Sequence, residues 1–231
     1  MSLTTPITKR PNLAESLMES ISEMIFDGRL AAGTRINEVH LAQALGVSRT
    51  PLREALSGLV SEGALQSLPR HGFYVRTLSA NEAKAIYPIR SYLDTEALRL
   101  SGIPNPSALK RLEEHRLALE EANDPYEAIR LDDAWHEELW STCPNPVLID
   151  IIRQFMRRTR RYELASMSDR FILKTSAESK REIESRLGAG NLTAACEQLR
   201  KSLQDGLIPV LKWLEERDAI KHPGNHHEDN A

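Results

Sequence analysis

At 231 residues and 26.0 kDa, with 41% hydrophobic content, the chain is long enough to bury two modest cores. No run of about eighteen apolar residues and no charged-then-apolar leader is present, so neither a membrane span nor export is expected and a cytoplasmic location is. A formal charge of −3 argues against coating nucleic acid by bulk electrostatics but leaves room for a local basic face.

Residues 1–11 hold two prolines and no apolar periodicity, which predicts a flexible arm; Lys9 and Arg10 there could brush phosphates. From Asn12 the stripe Leu13, Leu17, Met18, Ile21, Met24 and Ile25 predicts a first helix, with Gly28 placed to end it in a left-handed cap. After the turn at Ala32-Gly33, Glu38 to Leu45 reads as a short helix burying Leu41 and Leu45, and Gly46 permits the bend into the next. Two short helices joined by a glycine turn are a helix-turn-helix signature. Up to Thr77 there are eight basic residues against seven acidic, a net of +1, so the remainder carries −4.

The next helix opens at Ser48, whose hydroxyl is expected to accept from the first-turn amides, and Pro51 sits where its missing N–H costs little. Leu52, Ala55, Leu56 and Leu59 form the face to be buried, while Arg49, Thr50 and Arg53 point elsewhere. Such a face suits the major groove. Arg49 or Arg53 could donate two hydrogen bonds to guanine, and Ser48 and Thr50 suit phosphate or base-edge contacts. Ala64–Leu68 and Phe73–Arg76 then read as a hairpin around Pro69-Arg70-His71-Gly72. Gly72 at its tip permits close approach to a groove, and Arg70 or His71 could reach phosphates or a minor-groove edge.

The run Gly46-Val47-Ser48-Arg49-Thr50-Pro51-Leu52-Arg53-Glu54-Ala55-Leu56, with Glu62-Gly63 and Arg70-His71-Gly72-Phe73-Tyr74-Val75, resembles the winged helix-turn-helix of GntR-family bacterial transcription regulators. That resemblance implies a double-stranded DNA operator as partner, contacted through Ser48, Arg49, Thr50, Arg53, His71 and Gly72. With Pro51 and Arg70, these are the candidate DNA-binding residues.

Leu78-Ser79-Ala80-Asn81-Glu82 carries a Ser-x-x-Glu capping box. It predicts a helix from near Ala80 and a boundary at about residue 78, giving a DNA-binding domain over 12–78 and a second domain over 79–221. Beyond it every apolar segment has helical period, broken at 102–106, 123–125, 143–146 and 188–191. With Pro88 kinking or dividing the first segment, this predicts an all-helical bundle of about six helices. Residues 222–231 read as a disordered tail, and His226-His227 as part of it, not as a metal motif. The fold class is therefore mostly α: three helices and a two-stranded wing, then an all-helical bundle.

Trp135, Trp140 and Trp213 fit core positions. Cys143 and Cys196 read as free structural thiols, and Arg157, Arg158, Arg160 and Arg161 as a solvated or dimer-facing helix edge.

Ile89-Arg90-Ser91-Tyr92-Leu93-Asp94, Asp132-Asp133-Ala134-Trp135-His136, Pro144-Asn145-Pro146-Val147-Leu148 and Ile183 through Gly190-Asn191 resemble the FadR-like (FCD) branch of the same family. That branch implies a homodimer and a small carboxylate effector, in many members bound over a divalent metal on an Asp and a His four residues apart plus two later histidines. Asp132 and His136 match the first pair, but Lys180 and Ser202 stand at the later positions. An ammonium has no lone pair and a serine hydroxyl is a poor ligand, so no cofactor is expected and a divalent metal is disfavoured. Lys180 either supplies the missing positive charge beside Asp132 or an anionic effector, or lies on a solvated helix face beside an apolar pocket. Arg90 would add a bidentate carboxylate grip and His136 a hydrogen bond, so the candidate effector residues are Arg90, Asp132, His136, Lys180 and Ser202. An enzyme using Asp132, His136 and Lys180, or a winged domain that binds protein, are the rival readings. No nucleophile motif or phosphate loop supports the enzyme.

Overall fold

A computed structural model describes residues 13–166 and 170–221. The arm at 1–11 with Lys9 and Arg10, and the tail at 222–231 with His226 and His227, lie outside the described residues. The chain divides into two compact units after Thr77.

In the first unit, α1 (Leu13–Phe26), α2 (Glu38–Ala44) and α3 (Arg49–Ser61) pack with the hairpin β1 (Leu65–Leu68) and β2 (Gly72–Val75). Gly28 takes φ +80 after α1, and the Leu30 amide then returns to the Met24 carbonyl at 2.7 Å, closing the helix in a left-handed cap. Asn37 caps α2, its Oδ1 accepting from the Val39 and His40 amides at 3.1 Å. Leu52, Ala55, Leu56 and Leu59 of α3 are fully buried against Leu17, Ile21, Ile36, Leu41, Phe73 and Val75. The strands pair antiparallel, Leu65 opposite Val75 and Leu68 opposite Gly72. The hairpin also has a neighbour that the sequence did not announce: Arg35 bridges to Tyr74, and the Ile36 amide donates to the Phe73 carbonyl at 2.8 Å.

The second unit is helical throughout its described residues: α4 (Ala80–Ser101), α5 (Pro106–Glu121), α6 (Pro125–Leu139), α7 (Pro146–Ser166), α8 (Arg170–Gly188), α9 (Leu192–Asp205) and α10 (Leu207–Lys221). The breaks double as caps. Side chains of Asn105, Asp124, Asn145 and Asn191 accept from amides three residues on, at 2.9 to 3.1 Å, and prolines at 106, 125 and 146 open their helices where no N–H is needed. These seven helices differ from the expected six in three ways, the first being that the segment between the breaks at 143–146 and 188–191 holds two helices, α7 and α8, where one was expected. Pro88 does not divide α4, which runs unbroken through it, whereas Gly206 separates α9 from α10. Trp135, Trp140, Leu98, Leu112, Leu139, Ile152, Ile183 and Leu199 meet in the main core, while Trp213 is only half-buried, over a smaller cluster with Tyr87 and Tyr162. Cys143 and Cys196 are free, and among the described residues no helix is long and apolar enough to cross a membrane.

Only half of the expected capping box forms at the head of α4. Ser79 Oγ accepts from the Glu82 amide at 3.4 Å, but the Ser79 amide donates to the Tyr162 hydroxyl at 3.2 Å. The Glu82 carboxylate accepts from Tyr162 at 2.8 Å, from Arg158 at 2.8 Å and from Arg161. Together with the Arg160–Asp133 pair, this engages three of the four arginines of the basic run inside the unit, so that run is not a free basic surface.

Candidate functional site

The α3 face opposite the core is exposed and basic. Arg49, Thr50 and Arg53 are all exposed, at a helix N-terminus whose free amides and dipole favour phosphate. Ser48 occupies the N-cap position with extended backbone, but its side chain makes no capping bond, contrary to the sequence expectation. Its exposed hydroxyl is thus left for an outside partner. Pro51 is the third helical residue. Arg53 Nε lies 3.3 Å from Glu38 Oε2, so α2 helps to aim it.

The tip of the wing is Pro69-Arg70-His71, with His71 N–H donating to Leu68 O at 3.0 Å, and Gly72 begins β2 instead of forming the tip. Arg70 takes φ +66, a left-handed conformation that a side chain adopts at a cost of about 1–2 kcal/mol. Strain of this kind concentrates at functional positions, and here it holds a basic side chain at the extremity of the hairpin. Gly72, at φ +88, has Arg35 Nε and Nη2 3.8 Å and Glu38 Oε1 3.9 Å from where a Cβ would stand. Arg35, exposed and beside the wing, was missed from sequence; its signal is the Thr34-Arg35-Ile36 alternation, too short to read as a strand.

In the helical unit four of the five candidate effector residues are buried: Arg90, Asp132, His136 and Lys180. Lys180 Nζ on α8 donates to Asp132 Oδ1 on α6 at 2.6 Å and to Ser176 Oγ at 3.2 Å, and stands 4.7 Å from the centroid of the Trp135 ring. His136 Nε2 is 3.6 Å from Asp132 Oδ2. Trp135, given no site role from sequence, thus forms one wall of it and donates Nε1 to Glu184 Oε1 at 2.9 Å. Ser202 on α9 is half-buried and shares no hydrogen bond with these groups. Lys180 therefore does not lie on a solvated face.

Arg90 on α4 has its own partners, which the sequence reading did not name. Its Nε donates to Asp94 Oδ2 at 3.2 Å, and its Nη1 to Thr159 Oγ1 and Glu163 Oε1 of α7, both at 2.8 Å. Burial opposes the guanidinium charge, but Glu163 and Asp94 more than offset it, so Arg90 is held charged. Burial alone would raise Asp132, yet Lys180 pulls it down to about 2. Burial and then the Lys180 charge push His136 well below the usual imidazole range, leaving it neutral near pH 7. Burial pushes Asp94 up to about 6 despite Arg90. Three buried polar atoms around Arg90 and Asp132 have no hydrogen-bond partner among the described residues: the Tyr87 hydroxyl, Asp94 Oδ1 and His136 Nδ1.

This donor set does not fit a divalent metal. Asp132 and His136 are together, but an ammonium fills the third position, and among the described residues no three His, Cys, Asp or Glu side chains converge.

Residues 13–75 match the model of the bacterial regulatory proteins of the gntR family, and residues 85–205 match that of the FCD domain. An uncharacterized HTH-type transcriptional regulator, YdhC of Bacillus subtilis, is 30% identical over 202 residues, covering 80% of this chain and 90% of that protein. The chain belongs to the GntR family of bacterial regulators, with an FCD domain. It is a transcription regulator and not an enzyme. The Nta operon transcriptional regulator of Aminobacter aminovorans is 37% identical over 131 residues, 55% of this chain and 62%, under two thirds, of that protein. The solved structure of E. coli McbR/YncC shares the fold, with a TM-score of 0.71 at 23% identity over 89% of this chain and 100% of the other.

The buried cluster of this regulator makes a pH prediction. Asp94 is raised from an ordinary value of 3.8 to about 6, so between those values the folded state holds a proton that the unfolded chain has lost, and stability falls as pH rises. Asp94→Asn removes this dependence. Denaturant unfolding from pH 4 to 6.5 should show the variant gaining about 2–3 kcal/mol on the wild type; parallel pH profiles would contradict the assignment.

Proposed function

We propose that this regulator binds a near-palindromic operator as a homodimer in the cytoplasm, represses by occupying it, and releases it when a small anionic metabolite enters the buried polar cluster. The observation that carries the DNA half is the exposed row of Ser48, Arg49, Thr50 and Arg53 on a helix whose other face is wholly buried. A fixed helix presenting arginines four residues apart suits bidentate reading of guanine. Arg70, His71, Gly72 and Arg35 at the wing suit phosphate and minor-groove contacts. Two such units related by a dimer axis would read half-sites one or more helical turns apart.

For the effector half, the useful feature is the way Arg90 is held. Its partner Asp94 is fully buried on the same helix, whereas Glu163 comes from α7 and its side chain is 14% exposed. Burial raises Glu163, with Arg90 only partly opposing, so its ionised form is costly where it sits. An effector carboxylate can replace Glu163 on the guanidinium without leaving a buried cation bare. Glu163 also adjoins Arg161 and Tyr162, which hold Glu82 and Ser79 at the head of α4, directly after the boundary between the units. Exchange at Arg90 would thereby bias the segment leading to the DNA-binding unit. The effector works only by binding one conformation more tightly than the other.

Two measurements test this. With operators selected from random duplexes, Arg49→Ala should lose about 1–3 kcal/mol of discrimination at one base pair, while Arg35→Ala should weaken all sequences alike and lower the salt slope by about one. Unchanged affinity and selectivity in both would refute the DNA-contact assignments. In a thermal-shift panel of small carboxylates, Glu163→Gln should strengthen the response to any compound that stabilises the wild type, and Arg90→Met should abolish it. A response indifferent to both changes would place the effector elsewhere.

A further inference from the structure

We infer that Lys180 is the resident cation of the helical unit, standing where a divalent metal would otherwise be held by Asp132 and His136, and that this regulator senses its effector without a metal. The placement is specific. Lys180 Nζ is 2.6 Å from the carboxylate that would be the first metal ligand, and both side chains are less than a tenth exposed. A second oxygen, Ser176 Oγ, takes another of its protons, and the Trp135 ring takes the remaining side of the ammonium. An ammonium so held donates to the site's oxygens, as a metal ion would accept from them, and leaves no lone pair for an incoming ion. His136 Nε2 lies 3.6 Å from Asp132, and its other nitrogen has no hydrogen-bond partner among the described residues. A metal-binding histidine ordinarily donates from that second nitrogen to an orienting group, so His136 lacks the support a ligand would have.

The substitution changes what the site offers a ligand. A divalent ion on one carboxylate carries surplus positive charge for a second anion, whereas Lys180 with Asp132 is neutral. The grip on an anionic effector therefore falls to Arg90, and the response becomes independent of metal supply. The inference concerns the site already read as the effector site and rests on that reading for its meaning in regulation; metal content is measured without DNA or effector, so either can fail alone.

The full chain, purified without chelator and dialysed separately against Zn, Ni and Mn salts, should retain none of them stoichiometrically by elemental mass spectrometry, and its Tm should not move with Ni or with EDTA. Lys180→His, which places an imidazole lone pair beside Asp132 and His136, should retain Ni or Zn and gain an EDTA-reversible rise in Tm, lost again on adding His136→Asn. Near-stoichiometric metal in the wild type, removed by His136→Asn, would overturn the inference whether or not Lys180→His folds. A folded Lys180→His that acquires no metal would overturn it as well.

Discussion

The helical unit depends on an ion pair that water scarcely reaches. Removing Lys180 and Asp132 from solvent is costly, and their attraction offsets that cost only because other hydrogen bonds satisfy the remaining donors and acceptors. Ser176 and the Trp135 ring do so here. The same two helices are joined again one turn further on by Trp135 Nε1 and Glu184, and Glu184 in turn accepts from the buried Arg116 of α5 at 2.7 Å. Ser176, Lys180 and Glu184, spaced by four, thus form a polar stripe on α8 that faces inward. It fixes the registry of α5, α6 and α8 around a hydrophobic core, and it leaves Arg90, on α4, with partners of its own, Asp94 on the same helix and Thr159 and Glu163 on α7.

The winged unit uses charge in the opposite way. Arg35, Arg49, Arg53 and Arg70 are exposed there. Glu38 shows how little acid is needed: one carboxylate beside Arg53 and close to Gly72 orients the reading face without neutralising it. Arg70 accepts a strained backbone at the wing tip, whereas Gly72 supplies the room in which Arg35 and Glu38 lie. Arg90, Arg116 and Lys180 are committed inside the helical unit, whereas Arg35, Arg49, Arg53 and Arg70 face outward in the winged one, so the net charge of the chain says little about what it binds.

The α3 face was legible from sequence because two physical requirements coincided there: a helical stripe of leucines to bury and arginines that the stripe leaves outside. Three of the bundle breaks were legible because Asn or Asp followed by Pro serves as both stop and cap, and a fourth because Gly190-Asn191 does. The polar core was only half legible. The spacing of Asp132 and His136 implied a shared face, and Lys180 stood open between a buried and a solvated role, since a lysine at helical spacing looks alike in both until its partner on another helix is known. Glu163, Ser176 and Glu184 carried no local signal, because their importance comes entirely from contacts across long stretches of sequence, and the local signal of Arg35 was too short to read. Pro88 and Gly206 misled in opposite senses: a proline was carried inside α4, and a lone glycine sufficed to end α9.

A double-mutant cycle at Asp132 and Lys180, read by denaturant unfolding at neutral pH, bears most directly on this organisation. Asp132→Leu and Lys180→Met taken singly should each cost about 3–5 kcal/mol, because each strands the other charge in the interior, while the double variant should recover most of that loss. Small, additive losses, as from a solvated surface pair, would contradict it.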